Sequence, residues 1–393
     1  MRAAWRVAIA ASSGSWIFQS PGRMIWREWQ RRIRGIGDMP WNFLPPPLYK
    51  ALSDHGPDIQ RVSIPPTLLT GATGFVGSAV ARALLARGHR VRALCRPGND
   101  RRNLAELDVE IVEGDLGDPA SLAGAVAGCR YVLHVAADYR IWVPDPDAML
   151  RANVDGSVAL LRAAHAAGVE RIVHCSSVAA LGLTSDGTLA DETTPVSEET
   201  VIGTYKKSKF RAEQAVLALV RDEGVPAVIV NPAAPIGPRD IKPTPTGRMI
   251  VDAACGRMPA YLDTGLCVVH VDDVAEGHLL ALERGRIGER YILGGENLLL
   301  RDLLALVADS VGRRPPRICL PAGLLWPVAL ACEGLARFGI EPLVTRDHLR
   351  MARKKMFFSS AKAIRELGFA PRPASAAVAD AVAWFREHGA VPK

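Results

Sequence analysis

The 393-residue sequence contains seven cysteines, none of them in a C-x-x-C pair or at a spacing that would suit a metal. Disulfide-stapled and zinc-held architectures are thereby set aside, no metal is expected, and the thiols read as small apolar side chains in a reducing, cytoplasmic setting. No apolar run reaches the roughly 18 residues that a spanning helix needs. Aromatic residues make up only 6% of the chain, and five of the eight tryptophans fall within residues 1–62. Acidic residues are also scarce there: nine Lys/Arg face four Asp/Glu, so the segment carries +5 of the net +7. The remaining chain is nearly balanced, which excludes nucleic acid as a main partner.

Residues 1–62 differ in character from the rest of the chain. A Pro-Pro-Pro stands at 45–47, and a basic run surrounds Trp26 and Trp29. Arg6 interrupts the one candidate for a secretory apolar core, so no signal peptide is assigned. The segment reads as a disordered extension or as sequence upstream of the true start, with a basic interfacial helix near Met24–Ile36 as the alternative. The fold is expected to begin near Ile64.

From there apolar runs alternate with helical patterns, the signature of a doubly wound parallel sheet covered on both faces. Strands are expected at 67–70, 90–94, 110–113, 131–134, 171–175, 227–231, 268–271 and 290–293, with long helices over 147–167 and 203–222. This gives a Rossmann-type domain over residues 63–235 plus 266–300. A smaller C-terminal lobe takes 236–265 plus 301–393, and the last ninety residues read as mainly helical. The apolar stretch Leu320–Cys332 is expected as a buried helix of that lobe, with peripheral membrane contact as the alternative.

The stretch Thr67–Gly77, TLLTGATGFVG, carries the first chemistry. A strand, three glycines (Gly71, Gly74, Gly77) and a helix form the context of a dinucleotide site. Gly71 permits the tight turn, Gly74 lets the backbone approach a pyrophosphate, and Gly77 allows close helix packing. The second strand ends in Cys95-Arg96, where an enzyme that binds NAD usually places an acid. Arginine suits a 2′-phosphate, so NADP(H) is favoured over NAD(H).

Tyr205 and Lys209 lie four apart on a helical pattern and project from one face. A phenol exchanges protons poorly near neutrality, and a nearby ammonium lowers its pKa. Ser177, 28 residues upstream at a strand end, can hold a carbonyl or hydroxyl beside the tyrosine. Asp138, Tyr139 and Trp142 lie in a loop that should face substrate. Arg239, Lys242 and Arg248 could receive a phosphate or remain solvated loop charges.

Taken together, Gly71-x-x-Gly74-x-x-Gly77, Asp115, Ala136-Ala137, Asn153, Ser177, Tyr205-x-x-x-Lys209 and Asn231-Pro232 resemble the extended short-chain dehydrogenase/reductase superfamily across residues 65 to 390. Within it the chain is most similar to the hopanoid-associated sugar epimerases of bacteria, near the dihydroflavonol reductases, through stretches such as His134–Pro146, Asn231–Arg248, His270–Asn297 and Arg350–Ala363. The resemblance implies Tyr205 as proton donor or acceptor, Lys209 as its tuner and Ser177 as the substrate-orienting hydroxyl. It implies cofactor contacts from Gly71, Thr73, Gly74, Phe75, Val76, Gly77, Arg96, Asp115, Leu116, Ala136, Ala137, Tyr205, Lys209 and Asn231. Asp115 would meet the adenine, and Asn153 would support the site. The expected activity is transfer of a hydride at a secondary alcohol or ketone, run as epimerisation of a sugar-linked substrate or as one-way NADPH-dependent reduction of an apolar ring ketone. A non-catalytic dinucleotide-binding scaffold is the remaining alternative. Sugar-nucleotide dehydratases place an Asp-Glu pair where this chain has Val178-Ala179, which argues against dehydration. The two long helices could pair across a two-fold axis in a homodimer.

Overall fold

The computed structural model describes residues 65–392, apart from 141–142, 144, 185–186, 337–344 and 353. The expectations for residues 1–62 and for Trp142 lie outside the described residues. The chain opens with β1 (Thr67–Thr70), the glycine turn and α1 (Phe75–Ala86), then β2 (Val91–Cys95), β3 (Val109–Glu113), α2 (Pro119–Val126) and β4 (Tyr131–His134). Next come α3 (Pro146–Leu150), a π-helical turn (Arg151–Asp155) and α4 (Gly156–Ala166), followed by β5 (Arg171–Cys175), α5 (Thr204–Glu223) and β6 (Ala227–Pro232). After these lie β7 (Ala234–Ile236), α6 (Pro245–Ala254), β8 (Ala260–Leu262), β9 (Gly265–His270), α7 (Val271–Arg284) and β10 (Arg290–Leu293). The chain continues through β11 (Glu296–Leu299), α8 (Leu300–Ser310), β12 (Ile318–Leu320), α9 (Trp326–Ala336), α10 (Arg346–Ala352), β13 (Lys355–Met356), α11 (Ala361–Leu367) and α12 (Ala374–Glu387).

Seven strands form one parallel sheet in the order β10-β6-β5-β4-β1-β2-β3. The inner strands are covered on both faces, which is why β1, β5 and β6 read as continuous apolar runs. Edge strand β3 is instead half-exposed and charged, with Glu110 paired to Arg92 at 2.9 Å, a composition that discourages pairing with another chain. Helix α7 packs along α1 on one face, and α2, α4 and α5 lie on the other.

Beyond β6 the chain leaves the main sheet. A smaller sheet takes β11, β9 and β13, with β7 also paired to β9. Its helices α6, α8 and α12 share a core that includes Ile250, Leu303, Val307, Val378 and Phe385.

Three expectations change. The helix expected over 147–167 is interrupted by the π-helical turn at 151–155, the kind of insertion that re-aims a side chain, here Asn153. The strand expected at 268–271 runs from Gly265 to His270, and Val271 already begins α7, with His270 accepting from the Asp272 N–H at 3.0 Å as its cap. The stretch 320–332 is not a buried helix: Leu324, Val328 and Leu330 are 68%, 45% and 53% exposed. Its apolar residues surround α9 on all sides, so the helix has no polar face to turn outward.

Candidate active site

The carboxyl ends of the parallel strands open into a cleft of about 1620 Å³, bounded on the far side by the smaller sheet and its loops. Its floor is the glycine turn. Gly71 adopts φ +73°, and a Cβ there would lie 2.7 Å from the Ala136 nitrogen. A Cβ on Gly77 would overlap the Gly71 carbonyl oxygen, so α1 can begin this close to β1 only with glycine. Gly74, exposed, precedes α1 with no side-chain cap and no acid in the first turn. The turn thus presents free N–H groups and a positive dipole end to an anion. These constraints fit a dinucleotide pyrophosphate.

Thr73, Phe75 and Val76 also line the cleft, and the Thr73 carbonyl is held by the Asn103 amide at 3.1 Å. At the end of β2, Arg96 is exposed on the cleft wall, while Asp100 is tied to Arg102 at 2.7 Å. Hydrogen bonds from Arg102 hold that carboxyl down to about 2. Asp115 and Leu116 follow β3, where Asp115 accepts from the Gly117 N–H at 2.7 Å. Ala136 and Ala137 follow β4. Their position is set by a buried chain: the Thr70 hydroxyl accepts from the Ala136 N–H at 3.1 Å and bonds His134 Nδ1 at 2.8 Å, while His134 Nε2 meets the Ser157 hydroxyl at 2.9 Å. Burial pushes His134 down to about 3, so it serves as a neutral brace.

Asn153 is buried and makes three bonds: its oxygen accepts from the Asp138 N–H at 2.7 Å, and its amide donates to the Asp138 carbonyl at 2.8 Å and the Ser208 hydroxyl at 2.9 Å. It therefore ties the loop after β4 to α5, one turn below Tyr205. Ser177 caps a short 3₁₀ turn after β5, with its hydroxyl accepting from the Ala179 N–H at 3.1 Å. Burial pushes the Tyr205 phenol up to about 12, and a hydrogen bond with Ser177 works against that rise. Lys209, buried, donates to the Cys175 carbonyl at 2.8 Å, and burial lowers its pKa. The Lys209 ammonium is engaged with the end of β5, and the hydrogen bond with Ser177 only partly offsets the effect of burial on the phenol.

Asn231 requires a correction. Its side chain is fully buried behind the wall, donating to the Ser177 carbonyl at 3.0 Å and to Glu213 at 2.6 Å. Glu213 in turn pairs with Arg290 at 3.1 Å. Asn231 thus braces Ser177 and does not line the cleft. Of the three loop cations, only Lys242 lines the cleft; Arg239 pairs with Asp272, and Arg248 is exposed elsewhere. Two residues that no motif singles out, Lys206 and Asp240, also line the cleft. Asp240 is a lone loop acid whose burial is visible only in three dimensions.

A glycine-turn cradle, a serine and tyrosine in contact, and a buried lysine on the same helix define a nicotinamide-dinucleotide oxidoreductase or epimerase of the extended short-chain class. Known proteins agree: the chain belongs to the NAD dependent epimerase/dehydratase family, whose model matches residues 67–294. It is 44% identical over 328 residues to a Synechocystis sp. protein provisionally named dihydroflavonol 4-reductase, covering 82% of this chain and 95% of the relative. It is 38% identical to sterol demethylase protein B of Methylococcus capsulatus, covering 83% and 99%. The crystal structure of gox2253 is 64% identical, with a TM-score of 0.76, and covers 83% of this chain and 99% of its own.

Proposed function

We propose that the protein is an NADP(H)-linked reductase of a ketone on a largely apolar substrate, with Ser177, Tyr205 and Lys209 as its catalytic residues. The observation that carries this reading is the composition of the cleft that holds Tyr205, whose lining includes the apolar side chains of Leu181, Leu183, Leu266, Met351, Met356 and Phe358. Relatives named for a dihydroflavonol and a sterol support it. Arg96, exposed on the cleft wall at the end of β2, supports the preference for a 2′-phosphate.

The glycine turn and the first N–H groups of α1 would hold the pyrophosphate, and Arg96 would receive the 2′-phosphate. Asp115 and Leu116 would meet the adenine end, and Ala136 and Ala137 would line the cleft beside the dinucleotide. When bound, the dinucleotide supplies or takes up the hydride at the carbon that carries the oxygen. Ser177 holds that oxygen beside the phenol, and Tyr205 delivers or removes its proton. At neutral pH the phenol carries its proton, the form that reduction requires. Lys209 keeps α5 and the end of β5 in register and contributes positive charge below the site. Residues of the smaller lobe, among them Leu266, Met351 and Met356, border the cleft and would face the substrate. Exposed Leu324, Val328 and Leu330, with Arg313, Arg314 and Arg317 close by in the chain, suit peripheral contact with an anionic membrane.

Incubation of the full chain with NADPH and a panel of cyclic ketones tests the reading. The expected result is one NADPH consumed per ketone reduced, and consumption about 10²–10⁴-fold slower in Tyr205→Phe. Inversion of a secondary alcohol without net NADPH consumption would overturn one-way reduction in favour of epimerisation.

A further inference from the structure

Lys206 directly follows the proposed catalytic tyrosine and lines the same cleft, half-buried. Its ammonium has one hydrogen-bond partner among the described residues, the Met356 thioether sulfur at 3.5 Å, a weak acceptor. Lys354, also on the cleft wall, lies close enough to repel it. Neither lysine forms an ion pair with a carboxylate among the described residues. The nearby cleft acid Asp347 is held by Arg350 at 3.3 Å. Met351, Met356 and Phe358 add apolar surface to the same cleft.

Two lysines on one cleft wall, close enough to repel and neither ion-paired among the described residues, are unfavourable in the ligand-free protein. Burial, and then the charge of Lys354, pull Lys206 down to about 8. A ligand that brings a negative charge restores the balance and binds more tightly for doing so.

We propose that Lys206 and Lys354 form an anion subsite at the substrate end of the cleft, so that the substrate is an apolar ketone or alcohol bearing a carboxylate or phosphate. This rests on the function proposed above. The subsite is distinct from the one for the dinucleotide's own phosphates, which the glycine turn and Arg96 would hold.

The test uses the full chain saturated with NADPH and three eight-carbon probes: octanoate, octyl phosphate and octanol. Affinities are read by competition or thermal shift, and NADPH affinity is measured on the same samples. The expected result is that octanoate, octyl phosphate or both bind at least about tenfold more tightly than octanol. Whichever of the two is preferred identifies the anion. That preference should fall about tenfold in Lys206→Met and again in the exposed Lys354→Met, with NADPH affinity unchanged. Equal binding of all three probes, binding of none, or an anion preference that survives in the double variant would overturn the subsite while NADPH binding persists. Loss of NADPH binding by the wild-type chain would instead overturn the underlying reading of the cleft. Should Lys206→Met fail to fold, Lys354→Met alone must still weaken the anion and leave octanol unaffected.

Discussion

Lys209, one helical turn after Tyr205, donates its ammonium to the carbonyl oxygen of Cys175 at 2.8 Å. Cys175 is the last residue of β5, and Ser177 follows two residues later. One bond thus fixes the distance between the helix that carries the phenol and the strand end that carries the serine. Asn231 reinforces the joint from behind through the Ser177 carbonyl.

Tyr205→Phe should therefore separate from Lys209→Met. Removing the phenol hydroxyl takes away the proton path and its hydrogen bond with Ser177 but leaves the joint between α5 and β5 intact, so kcat should fall by about 10²–10⁴ with NADPH affinity and melting temperature near wild type. Lys209→Met leaves the buried Cys175 carbonyl unpaired, which costs about 1–3 kcal/mol, and should lower both activity and melting temperature. Steady-state kinetics alongside thermal melts check the pair. Equal effects on stability would contradict the division of roles.

Asp240 predicts a pH signature. Burial pushes its carboxyl up to about 6, with hydrogen bonds from Thr244 working the other way. A raised pKa favours the neutral acid in the folded state. Its contribution is present below about pH 4 and is lost as pH rises to about 6, a swing of about 3 kcal/mol. Asp240→Asn keeps an acceptor for Thr244 without the charge. The variant should match wild type near pH 4 and exceed it in denaturant stability at pH 7. A variant less stable than wild type at pH 7 would show that the folded protein prefers the ionised form.

Gly77→Ala should disable the cofactor site without touching the catalytic residues. The added methyl meets the Gly71 carbonyl oxygen, so α1 must shift away from the turn. NADPH affinity is expected to fall more than tenfold, with a melting temperature several degrees lower. Near-normal titration of this variant would mean that the turn is not the phosphate cradle.

Much of this architecture is legible before any coordinates. Strands β4, β5 and β10 begin and end where their apolar runs do, because strands covered on both faces have no polar alternation to blur their limits. Helix α7 is the main omission. Its first turn, Val-Asp-Asp-Val, continues an apolar strand without a break, and the cap is a histidine side chain rather than a familiar Ser, Thr or Asp. The motif residues converge on one cleft as the order of strands requires. Asn231 is the exception, because a strand-end asparagine is equally able to face the cleft or the buried Glu213, and only packing decides. Lys206 and Asp240 escaped for the same reason: their significance lies in what surrounds them and not in any spacing.

NADPH-linked reduction depends most directly on the cleft being a site for NADP(H), and calorimetric titration of the full chain with NADPH and NADH tests this. NADPH should bind at least about tenfold more tightly, and Arg96→Ala should erase that difference by weakening NADPH alone. Equal affinities, or tighter binding of NADH that Arg96→Ala leaves unchanged, would contradict the assignment of Arg96 and with it the proposed NADPH-linked reduction.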